Sequence, residues 1–417
     1  MTARRVVGEL PLLAVCTMLL SSGADFLPGD AFVKVGVVQL NAARVIILIG
    51  LIAFVYAERP RLATWQTGLA IPIGLLLLAG LVTTLKWGTD PRYRFLVEAV
   101  ALFYLTAGLV KARPETRPSI LITALVALGL AAFAGIAQVA QGDATGFYRD
   151  GCTPVTQPGP VAPHGTVTRA TGNLLNPNVL AGELLLLAPL AAIGVALATV
   201  GREVRVALGL VIGLGDLALV LTYSRAGVFL AILGLGAAVA LSRLPHRRYL
   251  AGVGVLLAIG VSFLFGSCGS EGVGGYGRTK EWNETIHVIR DNPVYGVGLG
   301  RIGDVLQARN PRLQVAHAHN LFLNWWAEAG PAALLAWLWI FGAAIWRSLR
   351  AARAGDPVAK GVFVALAGFA LFSLSDHPSN VDRVATALWI TLGLAAGATP
   401  LLRRRRRAAE ERQPAHA

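Results

Sequence analysis

Apolar stretches about 20 residues long recur from one end of the chain to the other, separated by short polar segments. That is the repeat expected of helices crossing a bilayer core of roughly 30 Å. Twelve such spans are read, over residues 6–22, 41–57, 67–85, 95–110, 119–141, 178–200, 206–223, 226–242, 250–266, 320–346, 361–375 and 384–402. The pattern predicts an all-α polytopic integral membrane protein: one transmembrane domain over 1–402 and a basic tail over 403–417. Two connections are long, about 142–177 and 267–318, and are expected to carry short helices and the water-dependent chemistry. The spans at 206 and 226 nearly touch in sequence, so they form a tight hairpin with Ser224 and Arg225 at its tip. The first span lacks a small-residue cleavage pattern behind it and is read as a retained helix.

Composition agrees with the pattern. Of 417 residues, 55% are hydrophobic and 14% charged, against about 25% charged in a soluble domain. The net charge of +14 raises the question of a nucleic-acid partner, and the distribution of charge answers it. Of the 37 Lys and Arg residues, 22 fall in the segments on the side of the N-terminus, five of them in Arg403–Arg407. Under the positive-inside rule this predicts cytosolic termini and places both long loops on the opposite face. The excess charge is an orientation signal, and no nucleic-acid partner is expected.

Cys152 and Cys268 fall one in each long loop, where an oxidising compartment would permit a disulfide; the alternative is two unrelated thiols. Around Arg278 the sequence predicts a short amphipathic helix, with Thr279 as N-cap and Trp282, Ile286 and Ile289 on one face against the membrane surface. A guanidinium beside a helix N-terminus suits a phosphate-type anion. Arg225 has the same helix-start setting at the hairpin tip, against the alternative of a snorkelling arginine. His317-Ala318-His319-Asn320 precedes a membrane span; a neutral histidine there is a candidate general base, against the alternative of a helix-capping role. Gly330-Pro331 is expected to break the 27-residue span at 320–346. Glu328 just before that break is either a functional ionisable group or half of an interhelical pair. Neither clustered metal ligands, a P-loop, nor G-x-S-x-G is found, which favours metal-independent, cofactor-free chemistry.

Five motifs stand in order: Arg169-Ala170-Thr171-Gly172-Asn173 with Asn176-Pro177-Asn178; Ser224-Arg225-Ala226-Gly227; Arg278 to Trp282 with Asn292-Pro293-Val294-Tyr295-Gly296-Val297-Gly298; His317-Ala318-His319-Asn320; and Glu328-Ala329-Gly330. In combination the sequence resembles the bacterial O-antigen ligases and their polymerase relatives. The resemblance implies a GT-C-like, metal-independent, inverting glycosyltransferase in the bacterial inner membrane with its active site on the periplasmic face. It implies a glycan donor on undecaprenyl pyrophosphate, a hydroxyl of the lipid A-core oligosaccharide as acceptor, no cofactor, a surrounding phospholipid bilayer, and a monomer. Arg225 and Arg278 would bind the diphosphate and His319 would be the base. Arg169, His317, Asn320 and Glu328 would join the substrate site, and Asp376 would orient the histidine or the acceptor. An O-antigen polymerase with the same donor is the nearest alternative. A proton-coupled transporter using Glu98, Glu183 and Asp216 is the alternative of another class.

Overall fold

The computed structural model describes residues 3–27, 33–35, 38–88, 91–141, 156–159, 162–174, 176–242, 250, 252–254, 278–311, 313 and 315–397. Helices dominate: α1 (Ala3–Gly23), α2 (Ala42–Glu58), the single turn α3 (Leu62–Trp65), α4 (Ala70–Trp87), α5 (Pro91–Ala112), α6 (Arg117–Gln141) and α7 (Pro177–Leu197). They continue with α8 (Arg202–Leu221), α9 (Arg225–Ala240), α10 (Arg278–Asp291), α11 (Ile302–Arg309), α12 (Leu321–Arg353), α13 (Pro357–Phe372) and α14 (Asp382–Gly397). Among the described residues seven helices, α1, α4, α5, α6, α7, α8 and α12, are long and apolar enough to cross a membrane. The shorter α9 and α13 are equally apolar. The chain is a multi-pass membrane protein. Of the twelve expected spans, the one at 250–266 lies almost wholly outside the described residues, as do Cys152, Cys268 and the tail at 403–417.

One expectation is corrected. The described part of the 142–177 loop is not helical: Thr156–Gly159 (β3) pairs antiparallel with Ala162–Thr168 (β4), as Val33–Val35 (β1) pairs with Val38–Leu40 (β2) earlier in the chain. Pro158 and Gly159 are poor helix formers, and the β-branched sequence Thr166-Val167-Thr168 favours strand over helix by intrinsic propensity. The second long loop does carry short helices, α10 and α11.

At the centre lies α7, packed against α6, α8 and α13, while α5 lies along α14 and α12 along α4 and α13. In lipid the tails are as apolar as leucine, so helices gain from close contact rather than from escaping water. Glycines supply that contact. A Cβ on Gly194 would come within 2.9 Å of the Leu121 backbone, and one on Gly393 within 3.0 Å of the Phe103 carbonyl.

The expected break in the 320–346 span is present as a kink rather than an end. Gly330 adopts φ 81° and ψ −178° inside α12, and Pro331 follows. Proline has no N–H to give the carbonyl four residues back, Ala327, and the kink also releases that of Glu328. The loop before α11 repairs both losses: Val297 N–H donates to Ala327 O at 2.9 Å and Gly298 N–H to Glu328 O at 3.0 Å. The Thr83 hydroxyl also donates to Glu328 O at 3.0 Å. A side chain at Gly330 would place its Cβ 2.0 Å from Val294 O, so only glycine fits this seat.

Candidate active site

Five helices, α5, α7, α9, α12 and α14, begin at the same end of the bundle, and polar side chains cap several of them there. Asn176 accepts from Asn178 N–H at 2.8 Å, with Pro177 in the first turn of α7. The α8–α9 hairpin has its expected tip: Tyr223 turns the chain at φ 50°, the Ser224 hydroxyl accepts from Gly227 N–H at 3.4 Å, and Arg225 opens α9, exposed. Asn320 accepts from Phe322 and Leu323 N–H, both at 3.0 Å, and its amide donates to Leu374 O at 2.9 Å. Leu321 N–H reaches Ser373 O at 2.9 Å. The head of α12 is thereby fastened to the tail of α13. Asn320 is a cap and a tie, and its polar atoms are already committed.

That fastening brings residues 57 to 98 positions apart onto one carboxylate, which is buried at 0% exposure. The Oδ1 of Asp376 accepts from His377 N–H at 2.7 Å, faces His319 Nδ1 at 3.2 Å and faces His317 Nε2 at 3.4 Å. Its Oδ2 accepts from Arg278 at 3.4 Å. Burial by itself would raise the proton affinity of Asp376. The hydrogen bonds from His317 and His319, with the charges of His319 and Arg278, instead hold its carboxyl well below the usual carboxylate range. Burial pushes His317 below the usual histidine value, with further depression from His319 and Arg92. Burial likewise lowers His377 far more, with His317 and Arg92 adding to it.

The carboxylate fixes a tautomer. With Nδ1–H of His319 directed at Asp376, the neutral ring carries its lone pair on Nε2, as a general base requires. His319 also has φ 45°, a left-handed conformation that costs a non-glycine residue about 1–3 kcal/mol and persists only where the surroundings enforce it. The neighbouring Ala318 N–H is held by Asn324 Oδ1 at 3.1 Å.

The third element is cationic. Arg169 donates to Thr222 O at 2.8 Å and to Asn178 Oδ1 at 3.4 Å, tying its loop to the C-terminus of α8 and the start of α7. Burial and the nearby charges of Arg278 and Arg225 push it down to about 10, so it stays protonated at neutral pH. Arg225 and Arg278 both lie within electrostatic reach of Arg169, a grouping suited to a multiply charged anion. Arg278 serves both groups: it opens α10 and touches Asp376.

By spacing alone His317, His319 and Asp376 could present one face to a cation, since their ligand atoms lie within 4.8 Å of one another. In the structure those atoms hydrogen-bond to one another and to Arg278.

One expectation changes. The helix around Arg278 forms and already includes Arg278, the first described residue there, so Thr279 lies within it and not at its N-cap. Its buried face is Glu281, Thr285, Val288 and Ile289, while Ile286 is 36% exposed, because the helix packs on α12 and α11 through Val288, Ile289, Ile302, Leu306 and Ala327. Glu328 lies in the α12 kink, where Ile302 N–H approaches its carboxylate at 3.5 Å, and it lines a cavity with Arg92 and His377. Sequence reasoning missed Gln138, whose buried oxygen accepts from Thr171 N–H at 2.7 Å and Gly172 N–H at 3.1 Å and sets the loop behind Arg169. It also missed Asn380 and Arg92, which adjoin His317.

The O-antigen ligase family model matches residues 208–338. That stretch runs from α8 into α12 and holds Arg225, Arg278, His317 and His319; Arg169 and Asp376 lie outside it and join by folding. No curated protein matches the chain. Over residues 208–338, under a third of its length, the chain is similar to the O-antigen ligase family.

Proposed function

We propose that the protein is an O-antigen ligase acting as a metal-independent, inverting glycosyltransferase at the periplasmic face of the inner membrane. It moves a glycan from undecaprenyl pyrophosphate to a hydroxyl of the lipid A-core oligosaccharide. The observation that carries this reading is the pairing of the Asp376–His319 base with three arginines at one end of a membrane bundle.

In the displacement, the acceptor oxygen attacks the anomeric carbon as the bond to the diphosphate breaks. His319 Nε2 takes the hydroxyl proton, and Asp376 stabilises the imidazolium that results. Arg225 and Arg278, with Arg169 behind them, neutralise the charge that develops on the departing diphosphate. A diphosphate needs such charge more than it needs an acid. Both substrates have lipid tails, so a site at a helix-bundle end suits them. Glu98 is held by Arg44 at 2.6 Å, and the distinctive polar groups gather at one end, which favours a transferase over a transporter.

The test is transfer by purified protein in lipid, offered a polyprenyl-diphosphate glycan with lipid A-core and a second glycan unit as competing acceptors. Product on lipid A-core supports the ligase; product only on the second glycan makes the protein a polymerase. Proton-coupled uptake without transfer makes it a transporter.

A further inference from the structure

Behind the histidines lies a cavity of about 40 Å³, lined among others by Arg92, Glu328, His377, Ser379, Asp382 and Trp337. From it a hydrogen-bonded chain runs to the base. Arg92, at the start of α5, donates to the backbone oxygen of Asn380 at 3.2 Å and also to its side-chain Oδ1. Asn380 Nδ2 lies 3.2 Å from His317 Nδ1, and His317 Nε2 lies 3.4 Å from Asp376 Oδ1.

Donor and acceptor types determine each link. A guanidinium only donates, so the Asn380 atom facing Arg92 must be the amide oxygen and the one facing His317 the amide nitrogen. That nitrogen donates, so His317 Nδ1 must accept. A neutral imidazole has one donor and one acceptor, which leaves the proton on Nε2, directed at Asp376. The opposite tautomer would set a lone pair against the carboxylate oxygen that also orients His319.

We propose that Arg92 and Asn380 are positioning residues for transfer: together they set the tautomer of His317, so that it donates to Asp376 and leaves that carboxylate aligned on His319. The proposal rests on the reading of His319 as the base. Neither residue belongs to the matched stretch 208–338, and neither forms part of the arginine group. Arg92 acts from α5 and Asn380 from the turn Pro378–Asn380, so two elements distant in sequence decide one proton position.

The test compares steady-state transfer by full-length variants in lipid. Asn380→Asp is isosteric and keeps a partner for Arg92, but presents only acceptors to His317; kcat should fall about tenfold or more, the equivalent of one hydrogen bond to a charged group. Asn380→Ala, which frees His317 to choose its tautomer, should cost less, and the donor KM should stay within about twofold in both. Arg92→Met should lower kcat in the wild-type background and cost little more once Asn380 is alanine, while Arg92→Lys, still a donor, recovers most of the loss. Asn380→Asp milder than Asn380→Ala, or an Arg92→Met loss of equal size in both backgrounds, overturns the proposal. Should Arg92→Met fail to fold by size-exclusion chromatography, the two Asn380 variants decide it alone. His319→Ala separates the levels: if it still transfers, the base assignment has failed; if it is inactive while the contrasts are absent, only this chain has.

Discussion

Two buried carboxylates, Asp376 and Glu328, show how differently an acid can be used in one membrane protein. Asp376 is 0% exposed and collects four donors, two imidazole rings, one guanidinium and the His377 N–H, at the end of the bundle where helices begin. Glu328 is 6% exposed inside α12, and its surroundings concern the backbone: the carbonyls of 327 and 328 hold the 297–298 loop, and its own carboxylate meets Ile302 N–H. The first gathers the side chains that, in the proposed mechanism, exchange protons and bind the diphosphate. At the second, the backbone closes a gap that a proline opens, while the carboxylate lines the cavity shared with Arg92 and His377.

The sharpest contrast comes from matched amide substitutions. Asp376→Asn should lower transfer on the order of 10²-fold or more, because a carboxamide need not fix the His319 tautomer and cannot stabilise its cation. Glu328→Gln, which keeps an oxygen for Ile302 N–H, should stay within about threefold. Equal losses would erase the distinction. Next in size, Gly330→Ala should destabilise the protein by about 1–3 kcal/mol, since φ 81° and the nearby Val294 oxygen both oppose a side chain. A melting temperature equal to wild type would remove the kink's claim on glycine.

The smallest effect concerns pH. His317 and His377 have folded values below the unfolded value of about 6.5, so the stability they contribute is complete above that pH and is lost as the pH falls toward the folded values. Asp376 acts in the same direction but lower, its contribution being lost below about pH 4. Melting in detergent should therefore drop by roughly 2 °C or more between pH 7 and pH 5. A curve flat over that interval would mean that the histidines are not held neutral by the fold.

Much of this arrangement is legible in the residue string. Apolar length gives the helices, the 206–242 region gives the hairpin with Arg225 at its tip, and Gly330-Pro331 gives the kink, because each depends on neighbours in sequence. The helix face at Arg278 was not legible in the same way: Ile286 looks like part of an apolar stripe, but α11 and α12 cover a different face. Asp376 was singled out only through the family resemblance, as an acid followed by a histidine; its four donors come from α10, the 317–319 segment and its own loop. Arg92, Gln138 and Asn380 carry no local signal, since an arginine or an amide beside a span has many ordinary uses. Their roles exist only after α5 and α6 meet the loops that they hold.

The central claim is that His319, aligned by Asp376 and set against the arginines, removes the acceptor's proton. Its most direct measurement is transfer from a polyprenyl-diphosphate glycan by purified His319→Ala protein, alongside donor binding by the same sample. The account predicts donor binding near wild type with transfer lost. Transfer near the wild-type rate by the folded variant would contradict it.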